Sequence, residues 1–163
     1  MDMREIHTYP GTLDELWHMQ TSAEYQIEKL TAIGNGNVEV VECGAVGDAA
    51  GGFRLVIKMD VTADMPGFAA KVLPATNRIT QTWEWNNTTG DERTGKWKVD
   101  SGTPVQASGT MSLKADGDKT VEAIIGVVKC SIPLVGGKIA DFVGKAASET
   151  VRKDQAYTDS RLA

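Results

Sequence analysis

The chain has 163 residues, 41% hydrophobic and 24% charged, the make-up of one globular domain that buries a core without disulfides or metals. A formal net charge of −5 with no basic stripe argues against a nucleic-acid binder and against a protein held on anionic lipid by charge alone. No apolar run approaches the roughly 20 residues that cross a bilayer, and Met1-Asp2-Met3-Arg4-Glu5 lacks the layout of a secretory signal, so the expected compartment is the cytoplasm.

A short strand is expected at residues 4–8, stopped by Pro10-Gly11. Thr12-Leu13-Asp14-Glu15 fits a capping box, with Leu13, Leu16 and Trp17 following at helical spacing. A second box, Thr21-Ser22-Ala23-Glu24, restarts a helix whose apolar face is Ala23, Ile27 and Leu30, ended by Gly34. From Asn35-Gly36 the period falls to two. A strand at 38–41 precedes a Gly-rich break at 47–52, and Phe53, Leu55, Ile57 and Met59 then alternate with less apolar residues. A short helix or ordered loop is expected between Pro66 and Pro74, its Phe68, Val72 and Leu73 either capping the core or forming a lid.

Ile79, Gln81, Trp83 and Trp85 share one strand face, and Asn86 to Gly90 has the residues of a hairpin turn into 92–99. Val105, Ala107, Gly109, Met111 and Leu113 give the cleanest alternation, and Asp116-Gly117-Asp118 turns the chain into a last strand at 120–130. Short turns between neighbouring strands imply an antiparallel meander. One long amphipathic helix is expected from about Leu134, with Ile139, Phe142, Val143, Ala146 and Thr150 on its inner face and Tyr157 further on. Its stripe weakens at Lys153-Asp154, so the final turns are expected to project beyond the sheet or fray. Cys43 and Cys130 fall in strand-like segments among apolar neighbours, where reduced thiols pack as small hydrophobes.

Several segments in this order carry a resemblance. They are Tyr9-Pro10-Gly11-Thr12 with Leu16-Trp17, Tyr25 with Lys29-Leu30, Pro66 with Phe68, Gln81-Thr82-Trp83, and Ile132-Pro133-Leu134-Val135-Gly136-Gly137-Lys138-Ile139. The chain resembles the START-like (SRPBCC, helix-grip, polyketide-cyclase-like) superfamily over nearly its whole length, and within it a bacterial branch of unknown function, family 2505. The resemblance implies an α+β helix-grip fold: a curved antiparallel sheet of about seven strands around a long C-terminal helix, with two short helices after the first strand. Superfamily members bind lipids, sterols, polyketides, plant hormones or quinones, and some are cyclases. For this branch no reaction is implied.

Motifs for chemistry are sparse. Gly136-Gly137-Lys138 lacks the spacing and hydroxyl residue of a phosphate loop, so the glycines are read as a turn and a close helix approach. His7 and His18 have no metal-ligand spacing, and no catalytic-serine signature is present, so neither metal nor cofactor is expected. Glu122 sits on a strand whose two faces are both apolar, so parity does not choose its direction; an exposed position is the commoner one for glutamate. Trp83, Trp85 and Trp97 serve equally as core packing or as a cavity wall with Gln81 as a polar handle.

The preferred expectation is a module binding a small hydrophobic ligand of the lipid, polyketide or quinone class, with no catalysis assigned. The expected lining is Phe53, Leu55, Ile57, Phe68, Gln81, Trp83, Trp97, Met111, Phe142 and Val143. Two alternatives stand beside it. One is a cyclase or hydrolase using the same cavity, favoured if a desolvated Glu122 or His18 points inward. The other is a partner-interacting protein with a filled core, favoured if apolar residues after Thr150 are exposed.

Overall fold

Two hydroxyl caps begin the helical layer of the computed structural model, which describes residues 1–47 and 51–162. Thr12 Oγ1 accepts the Glu15 amide at 3.2 Å and donates to the Glu15 carboxylate, starting α1 (Leu13–Gln20). The second cap is Ser22 rather than Thr21: Ser22 Oγ accepts the Tyr25 amide at the start of α2 (Ala23–Ala32). Thr21 is spent on the preceding helix, its hydroxyl donating to the Trp17 carbonyl at 2.6 Å. The buried face of α2 is Gln26, Lys29 and Leu30, while Ile27 is exposed, which corrects the apolar face expected from hydropathy.

The strands are β1 (Asp2–Tyr9), β2 (Gly36–Val46), β3 (Gly52–Thr62), β4 (Thr76–Trp85), β5 (Glu92–Asp100), β6 (Val105–Asp116) and β7 (Lys119–Cys130). They form one antiparallel sheet in the order β1-β7-β6-β5-β4-β3-β2. The Gly-rich break expected at 47–52 lies partly outside the described residues, which omit 48–50. One row of partners crosses the sheet: Leu55, Trp83, Trp97, Gly109, Gly126 and Met3. Its two glycines are required. A Cβ on Gly126 would run into the Trp97 ring and the Ser108 carbonyl, and one on Gly109 into the Ile125 carbonyl. Over that bare backbone the Trp97 indole lies flat enough for Nε1 to donate to the carbonyls of Thr110 (3.2 Å) and Ile125 (3.3 Å).

On β7 the even-numbered residues face the core: Glu122, Ile124 and Val128 are buried, while Ile125 is exposed. Between β3 and β4 the short helix α3 (Gly67–Ala70) plugs the sheet end with Ala69 and, just after it, Leu73; Phe68 and Val72 stay more than a third exposed. Cys43 lies exposed on edge strand β2, its thiol donating to the Thr21 carbonyl, not packed among apolar neighbours as expected. Four strands separate it from the half-buried Cys130, and both are free.

The long helix α4 (Gly136–Leu162) packs against the β1–β7 side of the sheet. It enters against β7, where a Cβ on Gly136 would meet the Cys130 carbonyl at 2.6 Å, so this glycine does permit a close approach. The seam runs through Ile139, Ala140, Gly144, Ser148, Gln155 and Thr158. Phe142 and Ala146, expected inside, lie half-buried on its flanks, whereas Thr150, also half-buried, faces inward as expected, alongside Val151 and Asp154. Small and polar seam residues explain the offset: the Met1 side chain fills the notch at Gly144, a close contact that a hydrophobic stripe does not mark. Nor do the final turns fray. Polar contacts hold them, from Tyr25 to Thr158 (2.8 Å), His7 to Asp159 (2.8 Å) and Arg161 to Glu28 (3.4 Å).

Candidate functional site

Where α1, α2 and α4 close over the sheet they leave a cavity of about 80 Å³. Its apolar wall comes from Leu55, Trp83, Trp85, Met111 and Ile124 on the sheet, with Leu30 and Val151 opposite. Strand parity builds the sheet side: Gln81, Trp83 and Trp85 alternate inward on β4, Leu55 pairs with Trp83, and Met111 pairs with Ile124. Trp83 Nε1 donates to Gln81 Oε1 at 3.4 Å, a long bond that orients the amide toward the indole.

A charged end faces this wall. Glu122, 8% exposed, accepts two hydrogen bonds on the same oxygen, Oε1, from the Tyr9 hydroxyl (3.0 Å) and from Gln155 Nε2 (3.1 Å). Among the described residues no protein donor reaches Oε2. Burial pushes the Glu122 carboxyl above the usual glutamate range; the bond from Gln155 pulls it back, the Asp154 charge raises it further, and Tyr9 and Lys29 lower it. Burial, then the Glu122 charge, pushes the Tyr9 phenol well above its ordinary value, so Tyr9 remains a donor.

Lys29 is 2% exposed and pairs with Asp154 at 2.9 Å. Its ammonium also lies 5.6 Å from the Tyr25 ring centre. Burial raises the Tyr25 phenol to about 12. Four elements thus bring polar groups to one place: β1 with Tyr9, β7 with Glu122, α2 with Lys29, and α4 with Asp154 and Gln155. An inward carboxyl with one oxygen saturated and the other open can hold the polar end of a ligand or exchange a proton with it.

Of the residues expected from sequence, Leu55, Gln81, Trp83 and Met111 line the cavity. Trp97 is buried behind Trp83, ring centres 6.2 Å apart, and is fixed by its own hydrogen bonds instead. Phe53 packs against Trp17, Ile57 belongs to a cluster with Leu30 and Met59, and Val143 lies against the main core. Phe68 and Phe142 meet at a separate shallow surface depression with Met65, rimmed by Asp64, Lys138, Asp141 and Lys145. Glu122 points inward, against the commoner exposed placement. Sequence reasoning missed Tyr9, Lys29, Asp154 and Gln155 as site residues because polar residues on a buried face carry no hydrophobic signal. Glu122 stands out in the sequence only as a carboxylate on a strand apolar on both faces, which leaves its direction open.

Among the described residues no group of three or more His, Cys, Asp and Glu is placed to hold a metal, and no helix is long and apolar enough to cross a membrane. The fold recurs in solved structures of low identity. TTHA0849 from Thermus thermophilus matches with a TM-score of 0.66 at 17% identity, over 99% of this chain and 97% of that one. The ZhuI aromatase/cyclase from Streptomyces sp. R1128 matches with a TM-score of 0.60 at 13% identity, over 100% and 96%. A STAR-related lipid transfer protein fragment from Xanthomonas axonopodis matches with a TM-score of 0.58 at 14% identity, over 96% and 84%. At these identities the likeness establishes the helix-grip architecture alone. No curated protein matches the sequence. Residues 5–162 match the family model described as protein of unknown function (DUF2505), and the chain belongs to that family.

Proposed function

We propose that this protein binds a small hydrophobic molecule between the sheet and α4, with the molecule's polar end at Glu122. One observation carries the proposal: a mostly apolar cavity ends at a buried carboxyl with an open oxygen. Few convergent polar groups in an apolar pocket are the usual make-up of a ligand site. The lining is Leu55, Gln81, Trp83 and Met111 together with Trp85 and Ile124. The functions named for two proteins of similar fold, lipid transfer and aromatase/cyclase, agree with a hydrophobic ligand.

Size sets a condition on entry. A cavity of about 80 Å³ is several-fold below the ~300–1,000 Å³ of drug-sized sites. A lipid, polyketide or quinone therefore enters as α2 and α4 part, since those helices meet through polar contacts that water can replace. The inward Glu122 also favours a second reading, a cyclase or hydrolase in which this carboxyl moves a proton. The filled-core, partner-docking alternative gains nothing from α4, whose turns after Thr150 are bound down.

Native mass spectrometry of freshly purified protein should find a co-purified small molecule. Stripped protein should bind an apolar fluorescent probe saturably and with a change in tryptophan emission. Trp83→Ala should weaken probe binding beyond its stability loss, which has an upper range of about 3–5 kcal/mol. A gain in probe affinity would mean that Trp83 merely fills space, and the filled-core alternative would replace this one.

A further inference from the structure

We infer that the cavity selects an apolar molecule ending in a protonated amine, held by Glu122 Oε2, over the corresponding carboxylic acid. This rests on the cavity being a ligand site, as proposed above, and specifies its chemistry.

The inference follows from which charges are already used. Lys29, Asp154 and Glu122 are the charged side chains lining the cavity. Lys29 and Asp154 neutralise each other at 2.9 Å, so the one lining cation is taken. Glu122 pairs with no Lys, Arg or His among the described residues; its partners, Tyr9 and Gln155, are neutral and both bond Oε1. A buried ionised carboxylate without a counter-charge is unfavourable. It is relieved in one of two ways, by a proton or by a cation arriving from the cavity.

A ligand carboxylate would add a third anion beside Glu122 and Asp154 and find no free cation. An alcohol would satisfy Oε2 but not its charge. An ammonium does both through a charge-assisted hydrogen bond. The wall beside it is also suited to a cation, because Trp83 and Trp85 line the same space and indole faces attract positive charge. The titratable groups facing Glu122 from the elements packed around it are Tyr9 and the cross-strand partner His7 on β1, Lys29 on α2 and Asp154 on α4, with His7 itself held by Asp159 of α4. None of them offers an unpaired positive charge. Amine binding requires ionised Glu122, so affinity should rise with pH from the acid side and fall again where the amine loses its own proton.

Calorimetric titration of the full chain with phenylethylamine, phenylethanol and phenylacetate tests this at neutral pH. The amine should bind about tenfold or more tighter than the alcohol, the difference expected between a charge-assisted and a neutral hydrogen bond. Phenylacetate should bind weakest. Glu122→Gln keeps an acceptor for Tyr9 and Gln155 and removes the charge, so it should erase the amine's advantage over the alcohol. Equal or tighter binding of the alcohol or the acid overturns the inference, as does an amine preference that survives Glu122→Gln. Should that variant fail to fold, the wild-type series decides alone. If the fluorescent probe binds but no amine preference appears, only this inference falls; if neither the probe nor any of the three compounds binds, the ligand-site proposal falls with it.

Discussion

Glu122 should make the stability of this fold pH-dependent in a direction opposite to that of a salt-bridged carboxylate. Burial raises its folded-state value above the ordinary 4.5. Below that ordinary value the carboxyl is neutral in both folded and unfolded chains, and it serves Tyr9 and Gln155 without a charge penalty. As pH climbs toward the raised value, the unfolded chain releases its proton while the folded chain keeps it. Stability then falls by up to about 1.4 kcal/mol per pH unit and levels off above the folded-state value. Glu122→Gln preserves the acceptor and cannot ionise. It should match the wild type within about 1 kcal/mol in acid and become progressively more stable than it toward neutral pH. Glu122→Leu instead orphans two buried donors at about 1–3 kcal/mol each, so it should cost roughly 2–6 kcal/mol in acid. That deficit should shrink as pH rises. Urea unfolding of the three proteins from about pH 4 to about pH 8, with unchanged m-values, measures all of this. Other titrating groups are common to the three and cancel in the differences. A difference between the Gln variant and wild type that stays flat with pH, or moves the other way, would refute a desolvated inward carboxyl.

Gly126→Ala should destabilise by about 1–3 kcal/mol in thermal or urea unfolding, because its Cβ lands on the Trp97 ring and the Ser108 carbonyl. Gly137→Ala, where a Cβ meets open space in the first turn of α4, should be neutral or gain up to ~1 kcal/mol as its control. Ile139→Lys should unfold the protein, since it places a charge in a fully buried seam. Phe142→Lys, at the half-buried flank, should cost less than about 1.5 kcal/mol by the same assay, not the collapse expected from an inner-face position.

Local pattern was enough to determine the elements and their order. Period-two alternation, the Thr12 cap and the Asn86 to Gly90 turn each act over a few residues, so neighbouring side chains decide them. Even the inward parity of Leu55, Trp83 and Met111 follows, because a strand sends alternate residues to one face. Tertiary structure alone decided what the cavity contains. Lys29, Glu122 and Asp154 lie on three different elements, and a hydropathy pattern assigns such residues to solvent. They tolerate burial only because each finds a partner distant in sequence: Lys29 an aspartate, Glu122 a phenol and an amide. The seam of α4 passes through Gly144, Ser148 and Thr158 rather than along its largest apolar side chains because Met1 packs at Gly144 and Tyr25 bonds Thr158, contacts that come from elements distant in sequence. Alternation along a strand is a property of adjacent residues; the free energy of a buried charge depends on which groups the whole fold brings within reach.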